Sequence, residues 1–309
     1  MSMLAIRTAV IPAAGLGTRL APLTRFIPKE LLPVADVPLI EYALREAQDS
    51  GIHRIVVITS AAKTLLEEYL AAGAGMAGNA AERGEIVIVR QTAPRGLGDA
   101  VACAREAVGG EPFAVLLPDT LFDAETSALA QLLAARADGP VCLVATQEVA
   151  PELVPRSGIV ALKPVVGGGR LARVTSLVEK PALNQAPSRY AILGRYVLQA
   201  DIFDCLASTP PDDHGEVQLT DALRIYLAQG GEPVGNAPND ARGRICAVRV
   251  EGECYDAGEK LGYLVANAAF GLHDPALGEE FRAALGALIR RGRRGMRGSL
   301  ALSAIRRGP

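Results

Sequence analysis

Five short aliphatic runs recur along the first half of this chain and constrain its fold more than any other feature. They are Ala9-Val10-Ile11, Ile55-Val56-Val57-Ile58, Ile86-Val87-Ile88-Val89, Ala114-Val115-Leu116-Leu117 and Val141-Cys142-Leu143-Val144. None alternates polar with apolar residues, so each reads as a strand buried on both faces. Between them, Ile40 to Ser50, Thr64 to Ala72, Gly98 to Val108 and Ser127 to Ala135 carry apolar residues at helical spacing. Strand–helix alternation predicts an α/β fold: a mostly parallel sheet with helices on both faces. Such sheets bind ligands beyond the carboxyl ends of their strands, so the loops that follow the strands are where chemistry is expected.

The second half is more mixed. Ile159 to Leu162, Val174 to Val178 and Tyr190 to Leu198 read as strands, with Gly167-Gly168-Gly169 as a tight turn between the first two. Val217 to Leu227 and Leu261 to Gly271 read as helices, and the Gly-, Pro- and Asn-rich stretch Gly230 to Gly243 as a surface loop. The tail Gly278 to Pro309 opens with an amphipathic pattern and ends rich in arginine: Arg290, Arg291, Arg293, Arg294, Arg297, Arg306 and Arg307. It is either a solvated end or a contact surface for a second copy or an anion. The divisions expected are a domain over 1–273, in two parts near 8–150 and 151–273, and then a C-terminal helix and basic tail over 274–309.

Charge narrows the function. The 32 basic and 34 acidic side chains leave a net charge of -2, which excludes a globally basic nucleic-acid binder. No 18-residue apolar run is present, so no membrane span is expected. With no secretory leader pattern at Met1 to Arg7, a cytoplasmic location is expected. The five cysteines are odd in number and lack a C-x-x-C pair, which argues against a disulfide framework or zinc knuckle. Lysine is scarce at five residues, so each one is a candidate for a compact point charge that an arginine fork would not replace.

The strand-end motifs carry the chemistry. After the first run comes Ala13-Ala14-Gly15-Leu16-Gly17-Thr18-Arg19. Its glycines let backbone N–H groups surround an anion, and Arg19 adds a guanidinium fork suited to phosphate. It is neither a Walker loop nor a full dinucleotide fingerprint, since Leu20 stands where a third glycine belongs. Lys29 lies in Pro28-Lys29-Glu30, framed by Pro28 and Pro33, and fits a second phosphate contact. Gln91, with Gly96 nearby, offers both the donor and the acceptor that a pyrimidine edge requires. Asp119, ending the fourth run, is placed to hold Mg²⁺ or to cap a helix. The same two readings apply to Asp256, just before Gly258. Glu179-Lys180 ends another apolar run and suits a hydroxyl-rich, phosphorylated ligand.

Taken together, these stretches resemble the bacterial UTP–glucose-1-phosphate uridylyltransferases, a branch of the sugar-phosphate nucleotidyltransferases, across roughly residues 8 to 272. Lys29-Glu30, Gln218-Leu219-Thr220-Asp221 and Gly258-Glu259-Lys260-Leu261-Gly262-Tyr263 are the more particular matches. The resemblance implies a Rossmann-like, glycosyltransferase-A-like nucleotidyltransferase fold with a small mixed sugar-binding subregion. It implies a reaction of UTP with glucose 1-phosphate, assisted by Mg²⁺, in a homo-oligomer, dimer or tetramer. It also implies roles: Arg19, Lys29 and Lys180 at the phosphates; Ala13, Ala14, Gly15, Gly17, Gln91 and Gly96 on the nucleotide; Gly158, Glu179 and Gly194 at the sugar; Asp119 and Asp256 on the metal. Ser157-Gly158 departs from the family's usual Tyr-Gly, and Gly98-Asp99 from its usual Gly-His. The helical insertion after the second strand, near Ala62 to Glu85, is expected to be short. A sister transferase using dTTP or another hexose phosphate, and a non-catalytic binding paralogue, are the alternatives. An NAD-dependent oxidoreductase is disfavoured by Leu20 and by Thr59-Ser60-Ala61, where an acidic residue would stand.

Overall fold

A computed structural model describes residues 5–73, 84–136, 142–165, 169–229 and 244–305, with side chains in the last helix described to residue 291. The chain opens with β1 (Thr8–Pro12), a small hairpin of β2 (Pro33–Val34) and β3 (Val37–Pro38), and helix α1 (Leu39–Asp49). Next come β4 (Arg54–Thr59), α2 (Thr64–Ala71), β5 (Glu85–Arg90), α3 (Gly96–Ala102) and α4 (Arg105–Val108). These are followed by β6 (Phe113–Leu116), β7 (Thr120–Asp123), α5 (Ala128–Ala135) and β8 (Cys142–Glu148). The second half holds β9 (Gly158–Pro164), β10 (Leu171–Glu179), β11 (Tyr190–Leu198), α6 (Ile202–Ser208) and α7 (Leu219–Ala228). It closes with β12 (Ile245–Arg249), β13 (Glu253–Asp256), α8 (Lys260–His273) and α9 (Gly278–Ile305).

Nine strands form one sheet in the order β5-β4-β1-β6-β11-β8-β12-β10-β9. Alternate residues of the aliphatic runs enter opposite cores. Val10, Val56 and Ile58 pack with Val101 of α3, Phe203 of α6 and Leu223 of α7. Ala9, Ile11, Ile55 and Val57 pack with Leu44 of α1, Leu66 of α2 and Leu132 of α5. Helices on both faces are therefore as expected. The sheet itself is mixed rather than mostly parallel. Strands β5, β4, β1 and β6 run parallel, as does β8 with β12. Against these four parallel pairings stand five antiparallel ones, made by β10 and β11 with their neighbours. The physical reason lies in connection length: the few residues between β9 and β10 are too short for a crossover and permit only an antiparallel return.

Two buried structures support the strand ends. Arg195 of β11 is 1% exposed and grips Glu46 of α1 with three hydrogen bonds of 2.7 to 3.2 Å. It also donates to the Leu117 carbonyl oxygen at 2.9 Å, fixing the chain two residues before Asp119. A separate small core joins Leu20, Leu32, Leu121, Ala257 and Ala266. It ties the first loop, the Lys29 turn, β7 and the loop before α8 into one floor.

Helix α9 lies on α8 with the Phe281 ring against Gly271. Arg290 and Arg291 are exposed, while the side chains of Arg293, Arg294, Arg297, Arg306 and Arg307 lie outside the described residues. So do Gly167 and Gly168, the whole of Gly230 to Gly243, and residues 74–83 of the stretch where a short insertion is expected. Among the described residues no helix is long and apolar enough to cross a membrane.

Candidate active site

A cleft of about 670 Å³ opens at the carboxyl ends of β1, β5 and β6. That is the size of a small-molecule site. Arg19, Lys29, Asp119, Asp256, Lys180, Glu179, Gln91, Ala14, Gly15, Gly96, Gly158 and Gly194 all line it. Two expected residues do not. Ala13 is buried behind the wall, its N–H continuing the parallel ladder to Ile58 at 2.7 Å. Gly17 turns the first loop in the left-handed region, φ +66, where its carbonyl accepts from Thr24 at 2.8 Å. Both shape the loop from beneath.

The loop after β6 and the loop after β13 meet because β7 and β13 pair antiparallel, with Asp256 opposite Thr120. The Ala257 N–H donates to the Asp119 carbonyl at 2.8 Å, which locks the two loops together. The carboxylates converge. A carbon added at Gly258 would lie 2.6 Å from Asp119 Oδ2, 3.0 Å from Asp256 Oδ1 and 3.0 Å from Arg19 Nη2. Three charged groups thus close on one point beside Gly258, where an added carbon would push the Asp119 carboxylate aside.

Their charges are balanced by the first loop and the Lys29 turn. The Lys29 ammonium donates to Asp119 Oδ2, and Arg19 lies 3.5 Å from Asp256 Oδ2. Burial alone would push the Lys29 pKa down, but Asp119 and Glu30 more than offset it and leave the ammonium held above its ordinary value. Burial likewise would raise Asp119, yet Lys29 and Arg19 keep that carboxyl below the usual range. Asp256 goes the other way: burial and then the nearby Asp119 charge raise it, against Arg19 and the Gly258 N–H. One carboxylate is thus tied firmly in its charged form, while its neighbour gains from any further positive charge.

That arrangement bears on a metal. Mg²⁺ is commonly held by one or two carboxylates, with phosphate oxygens and water completing the shell. Asp119 and Asp256 supply such a pair around one point. Among the described residues no group of three or more His, Cys, Asp or Glu could form an all-protein cage. The donor set fits a cation shared with a phosphorylated ligand.

On the far wall, Gly158 pairs with Glu179 across β9 and β10. Lys180 follows with φ +43, an unusual backbone for a residue with a side chain, and its N–H donates to the Ser157 carbonyl at 3.0 Å. Its ammonium lies 3.2 Å from Glu179 Oε1. Gly194 sits at the bulge of β11, φ +62, where a Cβ would come within 2.9 Å of Thr120 Oγ1. Its contribution to the cleft is this close backbone approach.

Some residues escape a motif reading. Arg156 and Cys254 line the cleft with no local pattern to announce them, whereas Thr220 does so from the Gln218-Leu219-Thr220-Asp221 stretch. Lys63 is the more consequential one. It stands at the start of α2, 7% exposed, and its ammonium donates at 2.6 Å both to the Ala13 carbonyl and to Glu30 Oε2. Glu30 is itself 1% exposed, and its other oxygen has no hydrogen-bond partner among the described residues. Burial dominates both groups, pushing Lys63 down and Glu30 up despite their pairing. The pair therefore serves geometry more than stability. It staples the first loop to the Lys29 turn. The scarcity of lysine was the only signal in the sequence.

A sheet whose strand ends bring two carboxylates, an ammonium and a guanidinium to one cleft defines an α/β protein built to handle phosphates. The chain belongs to the nucleotidyl transferase family, whose model matches residues 8–261. It is 38% identical over 290 residues to the UTP–glucose-1-phosphate uridylyltransferase of Bacillus subtilis (strain 168), covering 89% of this chain and 94% of that one. A UDP-glucose pyrophosphorylase from Acinetobacter baumannii superposes with a TM-score of 0.78 at 34% identity, covering 92% of this chain and all of that one. A UDP-glucose pyrophosphorylase solved in complex with UDP-glucose gives 0.74 at 34% identity, covering 86% and 98%.

Replacing Lys63 with Met strips the buried Glu30 of its hydrogen-bonded partner. The expected result is a loss of about 3 kcal/mol in unfolding free energy, read by chemical denaturation. An unchanged midpoint would show that the pair is dispensable.

Proposed function

We propose that this chain is a UTP–glucose-1-phosphate uridylyltransferase, forming UDP-glucose and pyrophosphate. The observation that carries this reading is the convergence of Arg19, Asp119 and Asp256 on one point beside Lys29. Its relatives' names supply the substrates.

In the proposed reaction an oxygen of the sugar 1-phosphate attacks the α-phosphorus of UTP, and pyrophosphate leaves on the opposite side. The nucleophile is already anionic near neutral pH, so no side chain has to remove a proton from it. What remains is alignment and charge neutralisation. Ala14 and Gly15 present backbone to the nucleotide, on the loop that Gly17 turns from beneath. Arg19 receives the charge that builds on the departing pyrophosphate. Lys29 bridges phosphates once they displace it from Asp119. Lys180 holds the sugar phosphate, and Glu179, with the Gly158 and Gly194 backbone, contacts the hexose hydroxyls. Gln91 and Gly96 read the base. Asp119 and Asp256 would hold Mg²⁺, which when bound shields the phosphates from one another and offsets charge on the leaving group. A cytoplasmic location, where nucleoside triphosphates are available, goes with this reading.

We also propose a homo-oligomer formed through α8 and α9. Leu261 and Leu264 of α8, Leu277 just before α9 and Leu288 of α9 are between 62% and 70% exposed, a set of large apolar side chains left in contact with water. Light scattering should give a mass of at least twice 32.3 kDa; a monomer at micromolar concentration would refute it.

Purified protein with Mg²⁺, UTP and glucose 1-phosphate is expected to release pyrophosphate. A panel adding dTTP and other hexose phosphates ranks the substrates, and silence across the panel would favour a binding protein without catalysis. Asp119→Asn keeps the shape of the side chain while removing the charge. Its kcat should fall on the order of a hundredfold or more while the fold survives. Comparable kcat would remove Asp119 from the reaction centre.

A further inference from the structure

The base end of the cleft contains an arrangement that the reaction itself does not require. Gln91 follows β5 and is 4% exposed, so its amide cannot rely on water for its hydrogen bonds. Its nitrogen Nε2 donates to Asp99 Oδ2 at 2.6 Å and, more weakly, to the Gly96 carbonyl at 3.4 Å. A carboxylate and a carbonyl only accept hydrogen bonds, so the amide has to turn its nitrogen toward them. Both hydrogens are thereby committed to the protein. The oxygen Oε1 receives no hydrogen bond from a described residue, and Gln91 lines the cleft. The other Asp99 oxygen accepts from Arg95 Nη2 at 3.0 Å across one turn of α3.

We propose that Asp99 is a specificity-determining positioning residue. By holding the Gln91 nitrogen, it presents the Gln91 carbonyl oxygen to the base, so that the site takes pyrimidines bearing a hydrogen on N3 and rejects cytosine. This rests on the uridylyltransferase reading for the identity of the cleft's ligand. Uracil and thymine both carry that hydrogen beside the O4 acceptor. Cytosine presents a lone pair at N3 beside its amino group. Against a fixed acceptor that lone pair is repelled, and the buried Gln91 oxygen is left unpaired. The free amide described by its sequence could have served either ring, by rotating half a turn. Asp99 removes that freedom. The same geometry gives no contact that separates uracil from thymine.

The test compares kcat/KM for UTP, dTTP and CTP, read as pyrophosphate release with glucose 1-phosphate. The wild-type chain should prefer UTP and dTTP to CTP. Asp99→Ala frees the amide to flip, and the UTP-to-CTP ratio should fall about tenfold to a hundredfold, the cost of one unmet buried hydrogen bond. The change should appear in KM more than in kcat. Asp99→Asn replaces an acceptor-only group with an amide that can donate to the Gln91 oxygen, so the ratio should fall there as well, while Gln91 stays packed in place. Arg95→Ala breaks only an exposed ion pair and should leave it unchanged. In a Gln91→Ala background, Asp99→Ala should have no further effect on the ratio. A wild-type chain that uses CTP as well as UTP would overturn the proposal. So would an Asp99→Ala variant that keeps the wild-type ratio, or an Arg95→Ala variant that loses as much as Asp99→Ala. Calorimetric binding of UTP and CTP without sugar phosphate reads the same discrimination. A protein that bound UTP over CTP yet released no pyrophosphate would refute catalysis and leave the role of Asp99 standing.

Discussion

Two carboxylates that repel one another are held at one point, and the organisation of this molecule follows from that constraint. The pairing of β7 with β13 brings Asp119 and Asp256 together from positions far apart in the chain. Left alone they would force each other apart or take up a proton. Lys29 and Arg19 prevent this, each delivered by the segment that follows β1. Beneath them, Glu30 and Lys63 repeat the same balance in the dry interior. The result is a charged lattice in which Arg19 and Lys29 face the cleft and Lys63 supports them from below. A phosphorylated ligand entering it meets cations already in place, and need not wait for them to be arranged.

The division of the sheet explains how so many distant residues reach that lattice. The parallel half, β5-β4-β1-β6, aims its carboxyl ends at one rim and contributes Arg19, Gln91 and Asp119. The mixed half turns β10 and β11 back, so that Glu179, Lys180 and Gly194 approach from the opposite wall. A uniformly parallel sheet would have no such wall facing the first. Stiffness comes from the interior. Arg195 and Glu46 pin the end of β6, and Lys63 pins the first loop. The interactions that matter most for position are thus ionic pairs the solvent hardly reaches, where loss of one partner strands the other.

Much of this could be read in the residues. The aliphatic runs marked β1, β4, β5 and β6 because a strand covered by helices on both faces has no use for polar residues. The loops behind them were legible because glycine, arginine and Pro-framed lysine report backbone geometry and phosphate chemistry locally. What stayed hidden depends on partners distant in sequence. Strand direction in the second half is fixed by the lengths of connections and by β12, whose short Ile245–Arg249 run follows a Gly-rich stretch that reads as loop. Residues β7 and β13 are short and half-exposed, with no period to reveal them. Lys63 looks like an ordinary start to a surface helix until Glu30 is seen beneath it. Gln91 and Gly96 stand out in the sequence as candidates for a base contact, but the orientation of the amide does not, because Asp99 sets it from the next helix.

The central claim, that Asp119 and Asp256 share one cation with the ligand's phosphates, is tested most directly by a crystal structure of this chain with Mg²⁺ and UTP. The expected density is a single metal bonded to both carboxylates at about 2.0 to 2.1 Å, with the triphosphate against Arg19 and Lys29. A metal bound by neither aspartate, or a triphosphate seated away from the first loop, would contradict it.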